Sequence, residues 1–468
     1  MRLRLAAIVA LAVVVAGCGG KASSAPDAAT LVPANALAYL TIDTNVRSGQ
    51  LTSAKQILDK FSFGPRALRV LSADATQEGI SLKGLESSIG PQLDIAVLRV
   101  NGKLGAVGLT QPTNQKAFDR QLSSGSAKEL HTTIGGWTAF ADTQPFLDAL
   151  KNRNAQLATD PAYTEAAKTL PGAGDAIASA FITPAGIGAV AGALLQRVVP
   201  SLRGQLKGAT SSAGWIAAAL SSSDGAVKLE LHVKGAGASE VTTSSLADQI
   251  PSGAILAASF DGSKNRGTVS GNLGVLRTFS PRLGTNIAQL VKALNGPMIL
   301  YVRPGRPLPD VTIAAKPADP KQVMTSVAQI LKKLSGGQAK PVPTKVDGGT
   351  LEQLDLGSID LYYGRLGDEV VATDSQTALA ELKGSVGRLA NDAIFKEAQS
   401  GAGLPSANQG FVFVDLKDAV TAVEALAKLA NQKLPPSDLA NLKPLRSLLF
   451  YGSHSNGVES LVAFLKTS

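Results

Sequence analysis

Several segments from the first half of this chain recur in the second half in the same order, and this repetition constrains the fold more than any other feature. Residues 31–43 (LVPANALAYLTID) align without gaps with residues 249–261 (QIPSGAILAASFD). Residues 157–166 match residues 389–398, which lie 232 positions further on. Because several matches keep one order and nearly one spacing, we expect the chain to fold as two tandem homologous copies.

The repeated pieces indicate hairpins and amphipathic helices. Asp224-Gly225 and Asn456-Gly457 occupy matched positions, and both pairs favour tight hairpins because each turn residue must take a positive φ. Residues 227–234 (VKLELHVK) alternate between apolar and polar, which is typical of a half-buried antiparallel strand. Asp160 precedes a proline, a combination typical of a helix N-cap followed by the first helical residue. Residues 321–334 carry apolar side chains at helical spacing, which predicts an amphipathic helix. We therefore predict an α+β fold in which each copy is a mainly antiparallel sheet with helices packed on one face.

The first eighteen residues have the pattern of a bacterial lipoprotein leader. Arg2 and Arg4 precede an apolar run over residues 5–16, which is shorter than the roughly 20 residues that a membrane-spanning helix needs. The run ends in Val15-Ala16-Gly17-Cys18, which resembles the lipobox, where a thiol accepts a diacylglyceryl group as a thioether. We expect cleavage before Cys18 and lipidation of Cys18. An ordinary signal peptide followed by an incidental cysteine is the alternative.

The lone cysteine and the segment after it set the expected location. Cys18 is the only cysteine, so no intramolecular disulfide can form. Residues 19–30 (GGKASSAPDAAT) lack apolar periodicity and are expected to form a flexible tether that spans on the order of 17–21 Å. Acyl chains such as palmitate would hold the protein on the extracytoplasmic side of the cell membrane, because two buried chains anchor a protein stably where one does not.

The leader, the tether and the repeats together predict five segments. In chain order they are a lipoprotein signal peptide (1–17), the lipidated Cys18 with its flexible tether (18–30), the first α+β copy (31–235), a linker rich in Ala, Ser and Thr (236–248) and the second α+β copy (249–468).

Several short blocks resemble an uncharacterised family of bacterial envelope proteins, domain of unknown function 3352. The blocks are PANALAYL (33–40), Gln50, ILDKF (57–61), DPAYTEA (160–166), Leu170-Pro171 with the apolar strand that ends at Thr183, and the repetition of this second block from Asp392 to Asp415. The resemblance covers most of the mature chain. It implies an envelope location and a shared fold, and it implies no catalytic residues.

Composition weighs against several classes of ligand. Aromatic residues make up 4% of the chain, which leaves few rings for stacking on sugars or bases, so we expect no nucleic-acid partner. The formal net charge is +9, and removal of Arg2 and Arg4 would leave +7 on the mature chain. This mild excess suits an anionic membrane surface or wall polymer, and an ordinary solvated surface explains it equally well.

No residue pattern predicts a metal centre or a catalytic cluster. His131, His232 and His454 lie far apart in the sequence, and all three are expected on the surface. No Gly-x-Ser-x-Gly motif is present, although chain order alone leaves a Ser-His-Asp arrangement open. We therefore expect a protein that is not an enzyme and binds no cofactor.

Two further patterns have both a functional and a structural interpretation. Gly186-Ile-Gly188-Ala-Val-Ala191 resembles a dinucleotide-binding turn, but no acidic residue follows before Asp224, so close backbone packing is favoured. The apolar helix predicted over residues 186–206 carries Arg197 and Arg203. It is expected to be a core helix with extended arginines, and lying on an anionic membrane is the alternative.

Asp43 and Asp261 recur at matched strand ends. They could form a paired-carboxylate site, but aspartates at such positions far more often stabilise turns, so turn caps are favoured.

The leading functional hypothesis is a non-catalytic envelope lipoprotein that acts as a binding or scaffold protein. Its partners would be the membrane, reached through the lipid on Cys18, and an envelope protein, a wall component or an apolar ligand. One alternative is a solute-binding lipoprotein of a transporter, which would show parallel βαβ lobes around a cleft. Another is a lipid carrier, which would enclose an apolar cavity.

Overall fold

The structure is a computed structural model that divides the chain into two compact units. Unit 1 comprises residues 1–237 and 457–460, and unit 2 comprises residues 238–456 and 461–468. The residues that the structure describes are 27–45, 47–65, 88–123, 129–172, 174–189, 214–235, 244–262, 295–305, 308–334, 340–346, 349–355 and 360–468.

Unit 1 is built on an antiparallel sheet with four helices of defined bounds. Its elements, in chain order, are β1 (Ala38–Asp43), α1 (Gly49–Asp59), β2 (Gln92–Val100), β3 (Lys103–Thr110), α2 (Gln115–Ser123), β4 (Leu130–Ile134), β5 (Trp137–Ala141), α3 (Gln144–Lys151), α4 (Pro161–Ala167), β6 (Ala178–Ile182), β7 (Trp215–Ser223) and β8 (Ala226–Lys234). The strands lie side by side in the order β4-β5-β3-β2-β1-β6-β7-β8, and every pair is antiparallel.

The second half of the chain repeats this plan with additions. Its elements are β9 (Leu256–Asp261), β10 (Pro297–Arg303), β11 (Asp310–Ala315), α5 (Pro320–Leu334), β12 (Val342–Val346), β13 (Gly349–Asp355), β14 (Asp360–Leu366), β15 (Glu369–Thr373), α6 (Gln376–Ala380), α7 (Ala393–Ala402), β16 (Gly410–Asp415), α8 (Leu416–Leu429), α9 (Pro436–Leu442), β17 (Leu445–Ser455) and β18 (Val458–Thr467). The order β12-β13-β14-β15-β11-β10-β9-β16-β17 is antiparallel throughout.

The strand orders of the two halves correspond once β12 and β13 are set aside. With β1 matched to β9 and β5 to β15, each remaining pairing of β9 to β17 has its counterpart among β1 to β7. A single bridge also joins Pro33 to Gln156 in unit 1, and another joins Pro251 to Arg388 in unit 2. The residues that align in sequence therefore occupy matching places in the two strand orders.

Local sequence accounts for the turns and helix starts that shape unit 1. Asp224 and Gly225 close the hairpin of β7 and β8 with φ values of 48° and 72°. A tight two-residue hairpin turn requires a positive φ at both positions. Asp160 accepts a hydrogen bond from the Tyr163 amide at 3.0 Å and so caps α4.

The α+β class with a mainly antiparallel sheet is confirmed, and the prediction that helices cover one face needs correction. In unit 1, Ile95 of β2 belongs to a core cluster with Phe118 of α2, whereas Leu98 belongs to a second cluster with Phe146 of α3. Positions 95 and 98 point to opposite faces of the strand. Because β2 is apolar on both faces, each face requires its own helical cover.

Candidate functional site

Unit 1 holds a fully buried carboxylate in the middle of its sheet. Asp94 on β2 has no exposed surface. Its Oδ1 accepts hydrogen bonds from the Tyr39 hydroxyl at 2.8 Å and the Thr41 hydroxyl at 2.7 Å, both from β1. Its Oδ2 accepts from Nε2 of Gln92 at 2.7 Å. Three donors from two adjacent strands therefore hydrogen-bond both carboxylate oxygens. These bonds offset the cost of removing the acid from water.

Burial dominates the electrostatics of this group. Desolvation raises the pKa of Asp94 to about 6, and the hydrogen bonds from Thr41, Tyr39 and Gln92 act in the opposite direction. Burial also raises the pKa of Tyr39 well above its usual value, so Tyr39 remains a hydrogen-bond donor. The Tyr163 ring meets the Tyr39 ring edge to face at 5.8 Å. The packing around the acid favours a structural role over proton transfer.

In unit 2 the position that corresponds to Asp94 is held by the buried Ile299. The buried charged groups of unit 2 lie at other positions. Arg303 at the end of β10 forms an ion pair with Glu381, and both side chains are largely buried. The Arg388 guanidinium donates to the carbonyl oxygens of Gln249 at 2.7 Å and Leu382 at 3.1 Å. Burial raises the pKa of Asp310, and the nearby Asp374 carboxylate raises it further. The contacts of Arg303 and Arg388 hold the segment that follows α6, which begins at Glu381, to the rest of the unit.

The three histidines have different surroundings, and one prediction about them is wrong. His131 is exposed, and its Nε2 lies 3.4 Å from an Asp119 carboxylate oxygen. His454 is half-buried. His232 is only 7% exposed, and its Nδ1 lies 2.8 Å from Oγ of Ser460 within unit 1. His232 lies on the polar face of β8, whose other side chains are half-buried, but His232 itself is buried, and this burial lowers its pKa.

Asp43 has the geometry of a turn residue. Its Oδ1 accepts from the Asn45 amide at 2.8 Å, as in an Asx turn, and burial raises its pKa. Asp43 is half-buried, whereas Asp261 is buried and belongs to unit 2.

The glycine-rich motif serves packing at its first glycine. A Cβ on Gly186 would lie 1.8 Å from the carbonyl oxygen of Leu37, so only glycine fits against this backbone. Gly188 has no atom within 4 Å of its Cβ position, and Ala191 lies outside the described residues.

The clearest candidate binding surface is an apolar ridge on α8. Val423, Leu426 and Leu429 are 46%, 37% and 59% exposed, and their spacing of three residues places them along one side of the helix. Asp415 caps the helix by accepting from the Asp418 amide at 3.1 Å. Although α8 contacts β16 and β17, none of its residues is fully buried. We call these three side chains the α8 ridge.

Several predicted features fall outside the described residues. They are the signal peptide and Cys18, residues 19–26 of the tether, the greater part of the helix predicted over residues 186–206 with Arg197 and Arg203, and most of the linker. The prediction of a flexible tether up to residue 30 is wrong at its end, because Ala28–Thr30 forms a short helix whose two alanines are buried in the core of unit 1.

Within the described ranges, neither a helix that could span a membrane nor a metal-binding cluster is present. No helix within these ranges has the length and apolar character needed to cross a membrane. The same ranges contain no group of three His, Cys, Asp or Glu side chains arranged to hold a metal ion.

Comparison with known proteins gives little guidance. No family model and no curated protein matches the chain. Among solved structures, crystal forms III and I of TP0453 each align with 49% of this chain and 80% of that chain at 14% identity, with TM-scores of 0.28 and 0.27. Crystal form IV of TP0453 covers 46% of this chain and 77% of that chain at 13% identity, with a TM-score of 0.25. Likenesses at this level carry no argument about function.

Proposed function

We propose that this chain is an extracytoplasmic lipoprotein of the bacterial envelope, anchored through Cys18, which acts as a non-catalytic binding or scaffold protein. The lipobox that ends at Cys18 supports the anchor. The sequence blocks described above support membership of the family called domain of unknown function 3352. The matching strand orders support an origin of the two halves by duplication.

The engagement of reactive side chains in structural contacts supports a non-catalytic role. The Asp94 carboxylate is occupied by three donors, the His131 ring lies beside Asp119, and the His232 ring lies beside Ser460. A catalytic constellation would instead direct a nucleophile, a base and an orienting group toward one accessible point. Each of these groups contributes to packing or to the connection of neighbouring elements.

The observation that carries the binding role is the α8 ridge. Three exposed aliphatic side chains on one side of a helix leave apolar surface in water, and such surface is typical of a place where a partner or an apolar ligand docks. The antiparallel pairing of the described strands disfavours the transporter-type alternative, because solute-binding lobes are usually built from parallel βαβ units.

Metabolic labelling tests the anchor. Cells that express the wild-type chain, Cys18→Ser or the neighbouring control Gly20→Ser are fed a labelled palmitate. The wild type and the control should carry label, and Cys18→Ser should carry none. Label on Cys18→Ser at the wild-type level would contradict the proposal.

Photocrosslinking tests the ridge. A photoreactive amino acid is placed at Leu426, within the ridge, and in a matched variant at Lys428, which is exposed on the same helix outside the ridge. We expect a discrete adduct from position 426 and far less from position 428. An envelope protein, a glycan or a lipid in that adduct would identify the class of partner, whereas equal and diffuse labelling from both positions would reject the ridge as a binding surface.

A further inference from the structure

In the part of unit 1 that the structure describes, one side of an outer strand has no partner strand. Among the described residues, β4 pairs with β5 alone, through the register Leu130 with Ala141 to Ile134 with Trp137. Leu130 is 40% exposed although it is apolar. A strand with one unpaired side presents a row of backbone donors and acceptors to any further strand.

Unit 2 fills the equivalent place with its own chain. β14 corresponds to β4, because both pair with the matching strand of their unit and lie 232 residues apart in sequence. In unit 2, β13 pairs with β14 on the side away from β15, with Leu351 opposite Gly364 and Glu352 opposite Tyr363. The fold therefore accepts an additional antiparallel strand at this position, and no described strand of unit 1 occupies it.

The outer strand of unit 2 is protected, whereas β4 is not. β12 (VPTKV) contains Pro343, which has no amide hydrogen, and Lys345, whose charge resists burial. Both residue types are common devices against unwanted pairing at sheet edges. β4 (LHTTI) contains neither proline nor a lysine, arginine or acidic residue. Its residues favour strand formation without discouraging a further strand.

The hairpin that follows β4 determines which backbone groups point outward. Gly135 and Gly136 have φ values of 56° and 82°, so the two-residue turn makes Ile134 and Trp137 a hydrogen-bonded pair. Hydrogen-bonded and non-hydrogen-bonded pairs alternate along an antiparallel ladder. The amide and carbonyl groups of His131 and Thr133 therefore point away from β5.

We propose that β4 pairs antiparallel with the β4 strand of a second copy of this chain, on a two-fold axis at Thr132. In this register Leu130 faces Ile134 of the second copy, and His131 faces its Thr133. Thr132 meets Thr132 across the axis.

The sequence of β4 suits this self-pairing. The two apolar ends cover each other, and threonine opposite threonine is a favourable cross-strand pair. The outward groups of His131 and Thr133 supply four backbone hydrogen bonds to the second copy. A symmetric contact of this kind closes on itself as a dimer. Because β4 has only five residues, the association is weak and needs covalent trapping to be seen.

Cysteine crosslinking tests the register directly. The full chain is purified in detergent with Cys18→Ser, so that an introduced thiol is the only one, and is oxidised with copper–phenanthroline. Thr132→Cys should form a covalent dimer, because a non-hydrogen-bonded pair brings the two Cα atoms within about 4.5 Å. Thr133→Cys alone should crosslink at least about tenfold less. A mixture of His131→Cys and Thr133→Cys chains should crosslink again.

Two further variants separate pairing from folding. Thr133→Pro removes an outward amide without removing a bond to β5, and it should abolish crosslinking at position 132 while the far-ultraviolet circular dichroism is unchanged. If Thr133→Pro perturbs the fold, Thr133→Lys serves in its place. Lys345→Cys on the protected edge should not crosslink. Equal crosslinking of Thr132→Cys, Thr133→Cys and Lys345→Cys, or none at all of Thr132→Cys, would overturn the proposal.

Discussion

At one matched position, both units pair a tyrosine with an alanine across two neighbouring strands. The strand that carries the tyrosine in unit 1 carries the alanine in unit 2. In unit 1, Tyr39 on β1 lies opposite Ala96 on β2. In unit 2, Ala257 on β9 lies opposite Tyr301 on β10. Each unit thus buries one tyrosine and one alanine at this point. The total volume of the two side chains is the same in both units, but the hydroxyl lies on a different strand. Packing constrains the summed volume of the two side chains more strongly than it constrains which strand supplies the larger one.

The relocated hydroxyl changes the chemistry of the neighbourhood. The Tyr39 hydroxyl donates to the buried Asp94, whereas the Tyr301 hydroxyl donates to the carbonyl oxygen of Ala378 at 3.2 Å. The position equivalent to Asp94 is held by Ile299, which is fully buried. In unit 2 the place of Tyr39 is taken by Ala257, which has no hydroxyl to donate, and the position matched to Asp94 is apolar.

The largest effect is expected from removing Tyr39. Tyr39→Ala deletes a buried ring and a donor to Asp94, so it should lower the free energy of unfolding by about 3–5 kcal/mol in denaturant titration. The double variant Tyr39→Ala with Ala96→Tyr reproduces the arrangement of unit 2 and should recover part of this loss. A double variant no more stable than Tyr39→Ala would show that the two positions do not share one space.

The next effect is a pH dependence that belongs to unit 1. The folded-state pKa of Asp94, about 6, lies above the ordinary 3.8, so folding favours the protonated acid. The stability contributed by protonation is present below pH 4 and is lost as the pH rises through 6, by up to about 3 kcal/mol. Asp94→Asn should remove this component of the slope between pH 4 and pH 7.

Urea unfolding at several pH values measures this difference between variant and wild type. Asp59→Asn, which changes an exposed carboxylate on α1, controls for general charge effects. An Asp94→Asn variant with the full wild-type slope would mean that the buried acid does not titrate in this range.

A smaller difference is expected between the two matched helix caps. Asp160 accepts from one amide, that of Tyr163. Asp392 accepts from the amides of Ile394 and Phe395, and its second oxygen accepts from Gly253. Asp160→Ala should therefore cost about 1 kcal/mol and Asp392→Ala about 2 kcal/mol in thermal unfolding. A larger loss from Asp160→Ala would contradict the hydrogen-bond pattern.

The smallest effect is expected at a pair of matched surface ion pairs. Glu165 contacts Lys234 at 2.6 Å, and Glu397 contacts Lys466 at 3.6 Å and Arg446 at 2.7 Å. The hydrogen bond from Lys234 lowers the pKa of Glu165. Because these groups are solvated, Glu165→Gln should lower the melting temperature only slightly at low salt, and the shift should vanish near ~1 M NaCl. A salt-independent shift would indicate packing instead of charge.

Sequence patterns predicted the local features of this fold and missed those that depend on tertiary burial. The turn at Asp224-Gly225 and the cap at Asp160 were predictable, because their geometry depends on a few adjacent residues. Asp94 was not identified, although an aspartate between Leu93 and Ile95 was a visible signal, because two of its three donors lie more than fifty residues away on β1.

The candidate site was less predictable than the fold. The alternation of β8 located His232 on the polar face, but no local pattern shows that His232 is buried there. The apolar spacing of α8 predicts a packed helix, whereas Val423, Leu426 and Leu429 remain exposed. An amphipathic pattern states which side of a helix is apolar and does not state what lies against it.

The most direct test of the proposed tethered protein is the intact mass of the N-terminal peptide from the native chain, extracted in detergent. If Cys18 carries the anchor, the peptide begins at residue 18 and carries the added mass of a diacylglyceryl group on its sulfur. A peptide that retains residues 1–17, or that begins elsewhere with an unmodified thiol at position 18, would contradict the anchor and the envelope location inferred from it.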